Sequence, residues 1–412
     1  MKNGNATQNG QLYRRGLGLK KEVAGQLESD YSSAIIDYFK SNNYEMPLGG
    51  STLYLAKEFG FCYGVDRAVD YAYQSRTKFP DRRVFLTGEI IHNPHVNRKM
   101  LAMDIQFLSG QYADGNSFDS LDEDDVVILP AFGVTIQELE ILKGKGCILV
   151  DTTCGSVLNV WKRVEQYARD GFTSVIHGKY YHEETKATSS QTQKYPNAHY
   201  LVVLDMEETE RVCDYIAGKM TKDQFFQLFK NAVSEGFDPD IHLEKIGVAN
   251  QTTMLSSESL AVGERLRKEM TAKFGDEETA QRFRTFDTIC SATQERQDAI
   301  LELLQNKNLD LMLVIGGYNS SNTGHLAELS GEYTKAFHIE DARCLVDRST
   351  IRHLPAFQKE ERIAKDWLPA GNLRIGLTAG ASTPNNKIGE VVMRLAELGG
   401  HDLETLLTKM SV

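Results

Sequence analysis

Short apolar runs alternate with amphipathic stretches along most of the chain, and three of these alternations share one layout. Leu53-Tyr54-Leu55-Ala56 leads into Gly60-Phe61-Cys62-Tyr63-Gly64, after which Val65, Ala68, Val69 and Ala72 recur at helical spacing. Cys147-Ile148-Leu149-Val150 leads into Asp151-Thr152-Thr153-Cys154, followed by Val157, Val160, Trp161, Val164 and Ala168. Arg284-Thr285-Phe286 leads into Asp287-Thr288-Ile289-Cys290, followed by Ala292, Ala299, Ile300 and Leu303. Each pattern predicts a strand, a loop carrying one cysteine, and a helix.

The repetition continues downstream. A second short strand follows each helix and ends in a polar loop: Val84-Phe85-Leu86 before Ile91-His92-Asn93, Ser174-Val175-Ile176 before His182-Glu183-Glu184, and Leu311 to Ile315 before Asn319-Ser320-Ser321-Asn322. His92, His182 and Ser320 follow their cysteines by 30, 28 and 30 residues. A minor strand comes next (Ile105 to Leu108, Tyr200 to Leu204, Phe337 to Ile339). A final strand then ends in small or polar residues: Val126 to Leu129 before Gly133, Ile246 to Val248 before Gln251-Thr252-Thr253, and Arg374 to Thr378 before Ala381-Ser382-Thr383. Fixed order at fixed spacing is what three copies of one supersecondary unit give. Strands alternating with helices predict an α/β protein with mainly parallel sheets, and in such sheets ligands gather at the carboxyl ends of the strands.

The reading divides the chain into an extension over 1–50 and three similar α/β domains over 51–150, 151–284 and 285–390. The second carries a helical insertion over 206–245, the third a smaller insertion over 347–372. Residues 391–412 read as a C-terminal helix and tail, with Met393 to Met410 broken at Gly399-Gly400.

Charge and composition narrow the classes. The net charge of −11 argues against wholesale binding to nucleic acid or an anionic membrane, but not against an anion pocket built from neutral donors. No apolar run approaches the roughly 18 residues of a membrane span. Met1 to Lys21 lacks the apolar core of a signal peptide, so a cytoplasmic protein is expected, or a plastid-stromal one if the host bears plastids and a transit peptide is absent.

The six cysteines stand at 62, 147, 154, 213, 290 and 344, too scattered for a disulfide framework. Buried thiols, a reactive nucleophile and metal ligands stay open for each. Cys62, Cys154 and Cys290 differ from the rest in sharing a repeat position. Equivalent loops in a pseudo-threefold arrangement would bring three thiolates to one point, which suits an iron–sulfur cluster or zinc. Structural zinc normally takes four ligands from closely spaced pairs, and no C-x₂₋₄-C pair occurs. A cubane held by three thiolates, with its fourth iron open to substrate, fits the layout better.

Taken together, the three cysteine motifs resemble those of the 4-hydroxy-3-methylbut-2-enyl diphosphate reductase family. So do Ile91-His92-Asn93, His182-Glu183-Glu184, Gln251-Thr252-Thr253, Asn319-Ser320-Ser321-Asn322 and Ala379-Gly380-Ala381-Ser382, in order over residues 52–390. The extension and Pro130-Ala131-Phe132-Gly133 are similar to the longer cyanobacterial and plastid branch. The resemblance implies three α/β domains around one central [4Fe–4S] cluster per chain, held by Cys62, Cys154 and Cys290. It implies reductive loss of an allylic hydroxyl from a diphosphate substrate, giving isopentenyl and dimethylallyl diphosphate in the last step of the non-mevalonate isoprenoid pathway. Glu184 then belongs to proton delivery and Thr252 hydrogen-bonds the leaving oxygen. His92, His182, Ser320, Ser321, Asn322 and Ser382 match the diphosphate pocket. Ferredoxin is the implied electron donor, and the extension leaves a homodimer open. Phe132 departs from the pattern, since many members of the family carry a histidine there and a phenyl ring cannot donate to phosphate. Two rivals stand beside this reading: a non-redox iron–sulfur hydro-lyase, which needs arginines for a carboxylate substrate, and a non-catalytic sensor of iron–sulfur status.

Overall fold

The structure is a computed structural model and describes residues 11–286, 288–356 and 358–401. In chain order the strands are β1 (Leu12–Tyr13), β2 (Glu45–Leu48), β3 (Ser51–Leu55), β4 (Val84–Leu86), β5 (Ile105–Phe107), β6 (Val126–Leu129), β7 (Ile148–Asp151) and β8 (Thr173–His177). They continue as β9 (Tyr200–Val203), β10 (Ile246–Asn250), β11 (Phe283–Thr285), β12 (Leu311–Ile315), β13 (Ala336–Ile339), β14 (Thr350–His353), β15 (Arg362–Lys365) and β16 (Arg374–Ala379). Three large sheets result, ordered β1-β7-β6-β4-β5, β11-β10-β8-β9 and β13-β12-β16-β3-β2, with an antiparallel ribbon β14-β15 in the 347–372 insertion.

The three sheets contain one repeated order. Read from the strand that precedes a cysteine, it is β7-β6-β4-β5, β11-β10-β8-β9 and β3-β16-β12-β13. The first three strands of each pair in parallel. Strands β6, β8, β10 and β12 are buried along their whole length, as parallel strands covered on both faces must be.

The pairing holds one result that periodicity does not carry. Each strand before a cysteine completes the sheet of the preceding repeat: β7 joins β6, β11 joins β10, and β3 joins β16 near the other end of the chain. Each cysteine therefore stands where the chain leaves one sheet and opens the helix that leads toward the next.

Two compact units are present. The first comprises residues 1–14, 82–88 and 107–290, and the second 15–81, 89–106 and 291–412. The first holds a core of Val175, Leu201, Phe225, Phe229, Val248 and Leu266, among others, and a smaller one around Phe85, Val127 and Leu149. The second is centred on Leu53, Leu313, Ile375, Leu377 and Trp367.

The extension contributes ordered elements: β1 on the edge beside β7, the helices Lys20–Tyr31 and Ala34–Ser41, and β2 antiparallel to β3. Pro47 is tolerated in β2 because that strand is an edge. The 206–245 insertion is helical, with Met206–Ile216, Lys222–Phe229 and Pro239–His242, each started by a side-chain cap from Asp205, Thr221 or Asp238. The last described helix is Asn385–Leu398, ending at Gly399-Gly400. The remainder of the Met393 to Met410 helix, from residue 402 on, lies outside the described residues, as does Asp287.

Candidate active site

In each repeated order the second strand (β4, β8 or β12) and the final strand (β6, β10 or β16) are neighbours, but their onward connections run to opposite sides. The minor strand lies beyond the second, and the cysteine strand beyond the final one. This is a topological switch point, where diverging loops leave a crevice at the carboxyl ends of the strands. The loops concerned follow β4 and β6, β8 and β10, and β12 and β16. They carry His92 and Phe132, His182 with Glu184 and Thr252, and Ser320 to Asn322 with Ser382.

The cysteine loops are fastened to these crevices alike. The N–H of Cys62 donates to the carbonyl of Ala381 at 3.2 Å, that of Cys154 to Ala131 at 2.8 Å, and that of Cys290 to Thr252 at 3.2 Å. Each acceptor lies two residues beyond the end of a final strand. Cys62 caps the helix Tyr63–Lys78, Cys154 caps Gly155–Arg169, and Cys290 directly precedes Ser291–Lys307. The positive end of a helix favours thiolate over thiol. These three cysteines are half-buried, whereas Cys147, Cys213 and Cys344 are buried. Burial pushes the Cys147 thiol up to about 11 and the Cys213 thiol up to about 12. Both donate to backbone carbonyls, Asp122 and Arg265, and so hold their protons. The donor set thus separates three half-buried thiols at helix starts from three enclosed ones, and soft thiolates of the first kind fit an iron–sulfur group.

The first unit contains Cys154, Cys290, His182, Glu184 and Thr252. Glu184 is 3% exposed, and its two carboxylate oxygens both engage Thr252: Oε1 accepts the backbone N–H at 2.6 Å and Oε2 the hydroxyl at 3.0 Å. Through the carbonyl of Thr252 the same loop reaches Cys290. His182 caps the helix Glu183–Ser190, with Nδ1 accepting the Glu184 N–H at 3.1 Å. An amide N–H can only donate, so Nδ1 carries no proton and the ring proton sits on Nε2. Phe132 stands edge-on to that ring, with centroids 6.3 Å apart. The Phe132 ring thus packs against His182.

Gln251, next to Thr252, joins two loops of this crevice. Its Oε1 accepts from the Lys179 N–H (3.1 Å) and the Thr185 hydroxyl (3.0 Å), while Nε2 donates to Thr253 (2.8 Å). The approach requires Gly178, where a Cβ would lie 2.9 Å from that of Gln251. Nothing in the sequence distinguishes such a bridging amide from an exposed one.

The second unit contains Cys62, His92, Ser320, Ser321, Asn322 and Ser382. The Ser382 hydroxyl is within 3.2 Å of the His92 carbonyl and 3.4 Å of Ser320 Oγ. Ser320 caps the helix Ser321–Gly331, and Asn322 accepts the Ala381 N–H at 2.9 Å. A side chain at Gly317 would lie 2.6 Å from the His92 carbonyl, so only glycine lets these loops meet. Ser321 Oγ is buried and has no hydrogen-bond partner among the described residues. His92 Nδ1 lies 3.0 Å from Glu89. A carboxylate can only accept, so this nitrogen carries a proton. Hydroxyls, an amide and an imidazole near a helix start are the donor types that an anion would take. Burial holds His95 down to about 4, and His177 is enclosed and bonded to Ser259.

Sheet order and side chains together define an α/β protein of the switch-point type, with thiols, a carboxylate–hydroxyl pair and anion donors on its carboxyl-end loops. The family model described as LytB protein matches residues 53–396. The chain is 48% identical over 385 residues to the 4-hydroxy-3-methylbut-2-enyl diphosphate reductase of Picosynechococcus sp., covering 93% of each chain. To the enzyme of the same name from Gloeobacter violaceus it is 47% identical over 393 residues, covering 94% of this chain and 93% of the relative. A solved structure of the E-1-hydroxy-2-methyl-but-2-enyl-4-diphosphate reductase from Plasmodium falciparum has the same fold, with a TM-score of 0.58 at 22% identity, covering 83% of this chain and 86% of that one. The protein belongs to the LytB family.

Proposed function

We propose that the protein is an iron–sulfur oxidoreductase that reductively removes the hydroxyl of 4-hydroxy-3-methylbut-2-enyl diphosphate, giving isopentenyl and dimethylallyl diphosphate in the last step of the non-mevalonate isoprenoid pathway. The observation that carries this reading is the buried Glu184–Thr252 pair on the loop fastened to Cys290. A hydro-lyase or a sensor does not require a carboxylate held on a hydroxyl beside a cysteine loop and backed by a set of neutral anion donors. Arginines for a carboxylate substrate are missing from the crevice loops described above.

Cys62, Cys154 and Cys290 would hold one [4Fe–4S] cluster. When bound, it supplies electrons and a Lewis-acid site to the substrate hydroxyl. The overall change consumes two electrons and two protons: the carbon–oxygen bond breaks, a carbon–hydrogen bond forms, and the oxygen leaves as water. Hydroxide is a poor leaving group, so a proton must reach that oxygen as the bond breaks. Thr252 Oγ both accepts and donates. A proton on Glu184 Oε2 passes to it across 3.0 Å while its own goes to the leaving oxygen. The N–H of Thr252 fixes the other carboxylate oxygen, so the pair keeps one orientation through the transfer. His182 Nε2–H, His92, Ser320, Ser321, Asn322 and Ser382 anchor the diphosphate, with neutral hydroxyl and amide donors doing most of the binding.

Ferredoxin is the electron donor in this reading, the cytoplasm or plastid stroma its compartment, and the extension the surface for a homodimer. The test is anaerobic purification and an assay with the hydroxylated diphosphate and an artificial reductant. Products that form only with the reductant support the reading, and loss of water without it would instead indicate a hydro-lyase.

A further inference from the structure

Arg296 lies on the helix Ser291–Lys307, which starts immediately after Cys290, and only 3% of it is exposed. Its neighbours Gln294, Glu295 and Asp298 make this stretch read as an outward face. The structure instead turns the guanidinium inward. Nη1 donates to the carbonyl of Ala292 at 2.7 Å, and Nη2 to Gly60 at 2.6 Å and Phe59 at 3.5 Å. Nε is buried with no hydrogen-bond partner among the described residues. All three acceptors are neutral, so the hydrogen bonds leave the charge uncompensated. Asp66, one turn past Cys62, is within electrostatic reach, but it is exposed to solvent.

Burying a cation against carbonyls alone is costly, and it persists where negative charge is close by. The carbonyls that Arg296 grips belong to the residues just before Cys62 and to the first turn after Cys290. A thiol there supplies no charge, and a thiolate does. We propose that Arg296 is a positioning residue for the iron–sulfur group: its fork holds the Phe59-Gly60 segment that presents Cys62, and its charge offsets that of the thiolate set. This rests on the reading that Cys62, Cys154 and Cys290 hold the cluster. Lysine keeps the charge but lacks the wide, rigid fork that spans these carbonyls, and methionine keeps neither property.

The experiment uses anaerobically reconstituted full-length Arg296→Lys and Arg296→Met, compared with wild type by iron release to a chelator and by redox titration of the cluster's visible absorbance. Both variants should release iron about tenfold faster, the lower end of what hydrogen bonds to a charged group contribute. Only Arg296→Met should shift the reduction potential to more negative values, because a lost cation disfavours the added electron. Wild-type iron retention and potential in Arg296→Met would overturn the proposal, and so would equal potentials in the two variants. Cys62→Ser is measured alongside. If it retains full iron, the cluster reading itself fails and takes the proposal with it.

Discussion

Glu184 holds Thr252 by two hydrogen bonds, one from the backbone N–H at 2.6 Å and one from the hydroxyl at 3.0 Å. The residues are 68 positions apart and meet because β8 and β10 are adjacent parallel strands whose carboxyl ends open on one crevice. Glu184→Gln retains size and one acceptor but has no transferable proton. Turnover should fall by at least about a hundredfold, the lower end of general acid contributions, with iron content and substrate binding retained. Rates within a few-fold of wild type at equal iron content would remove Glu184 from the proton path.

The cysteines divide into two groups with different expected outcomes. Cys62→Ser, Cys154→Ser and Cys290→Ser should each lose the cluster and all turnover. Cys213→Ser should keep both, because that thiol lies on the inner face of the first helix of the 206–245 insertion, enclosed in the core, and keeps its proton. Iron analysis and visible absorbance after anaerobic reconstitution separate the outcomes.

For the anion anchors, Asn322→Ala and Ser382→Ala should raise KM more than they lower kcat, as expected for groups that bind ground and transition states alike. A variant with unchanged KM and collapsed kcat would move its residue from anchoring to chemistry. Asn322 also holds the Ala381 N–H, so its effect should exceed that of Ser382.

His338 gives a pH prediction. Its Nε2–H donates to the Gly316 carbonyl in the loop that leads to Ser320, and burial holds its pKa down to about 4 from an ordinary 6.5. Between those values the unfolded chain binds a proton that the folded chain does not. The contribution is therefore complete above about pH 6.5 and is lost as pH falls toward 4, worth on the order of 3 kcal/mol across the window. His338→Gln, which can keep a donor to Gly316, should flatten the fall in urea-unfolding stability over that range.

Much of this was legible in the residues themselves. The strands at Val84–Leu86, Val126–Leu129 and Leu311–Ile315 coincide with the apolar runs, because a buried parallel strand is apolar along its length. Thr252 and Ser320 stand on loops after strand ends where the repeat indicated, whereas Glu184, Ser321 and Asn322 fall in the first turns of the helices that those loops open. The destination of β3 was not legible. Its alternation says that it is a strand, but the partner that buries it, β16, lies more than 300 residues away. Arg296 and Gln251 were missed for a related reason. Their burial comes from what other loops bring over them, and a polar side chain in a polar stretch carries no mark of that.

The union of β3 with β16 also sets the order of events during synthesis. The strand ahead of Cys62 leaves the ribosome early with only β2 to pair with; its parallel neighbour is missing until residues 374–379 have emerged, and the Cys62 N–H finds its acceptor only with Ala381. A pairing this distant closes late in folding. The Cys62 loop therefore has no fixed acceptor until residue 381 has emerged, and a group held through Cys62 would have to be fitted after that point. A nascent chain stalled before residue 374 should bind iron no better than the Cys62→Ser protein.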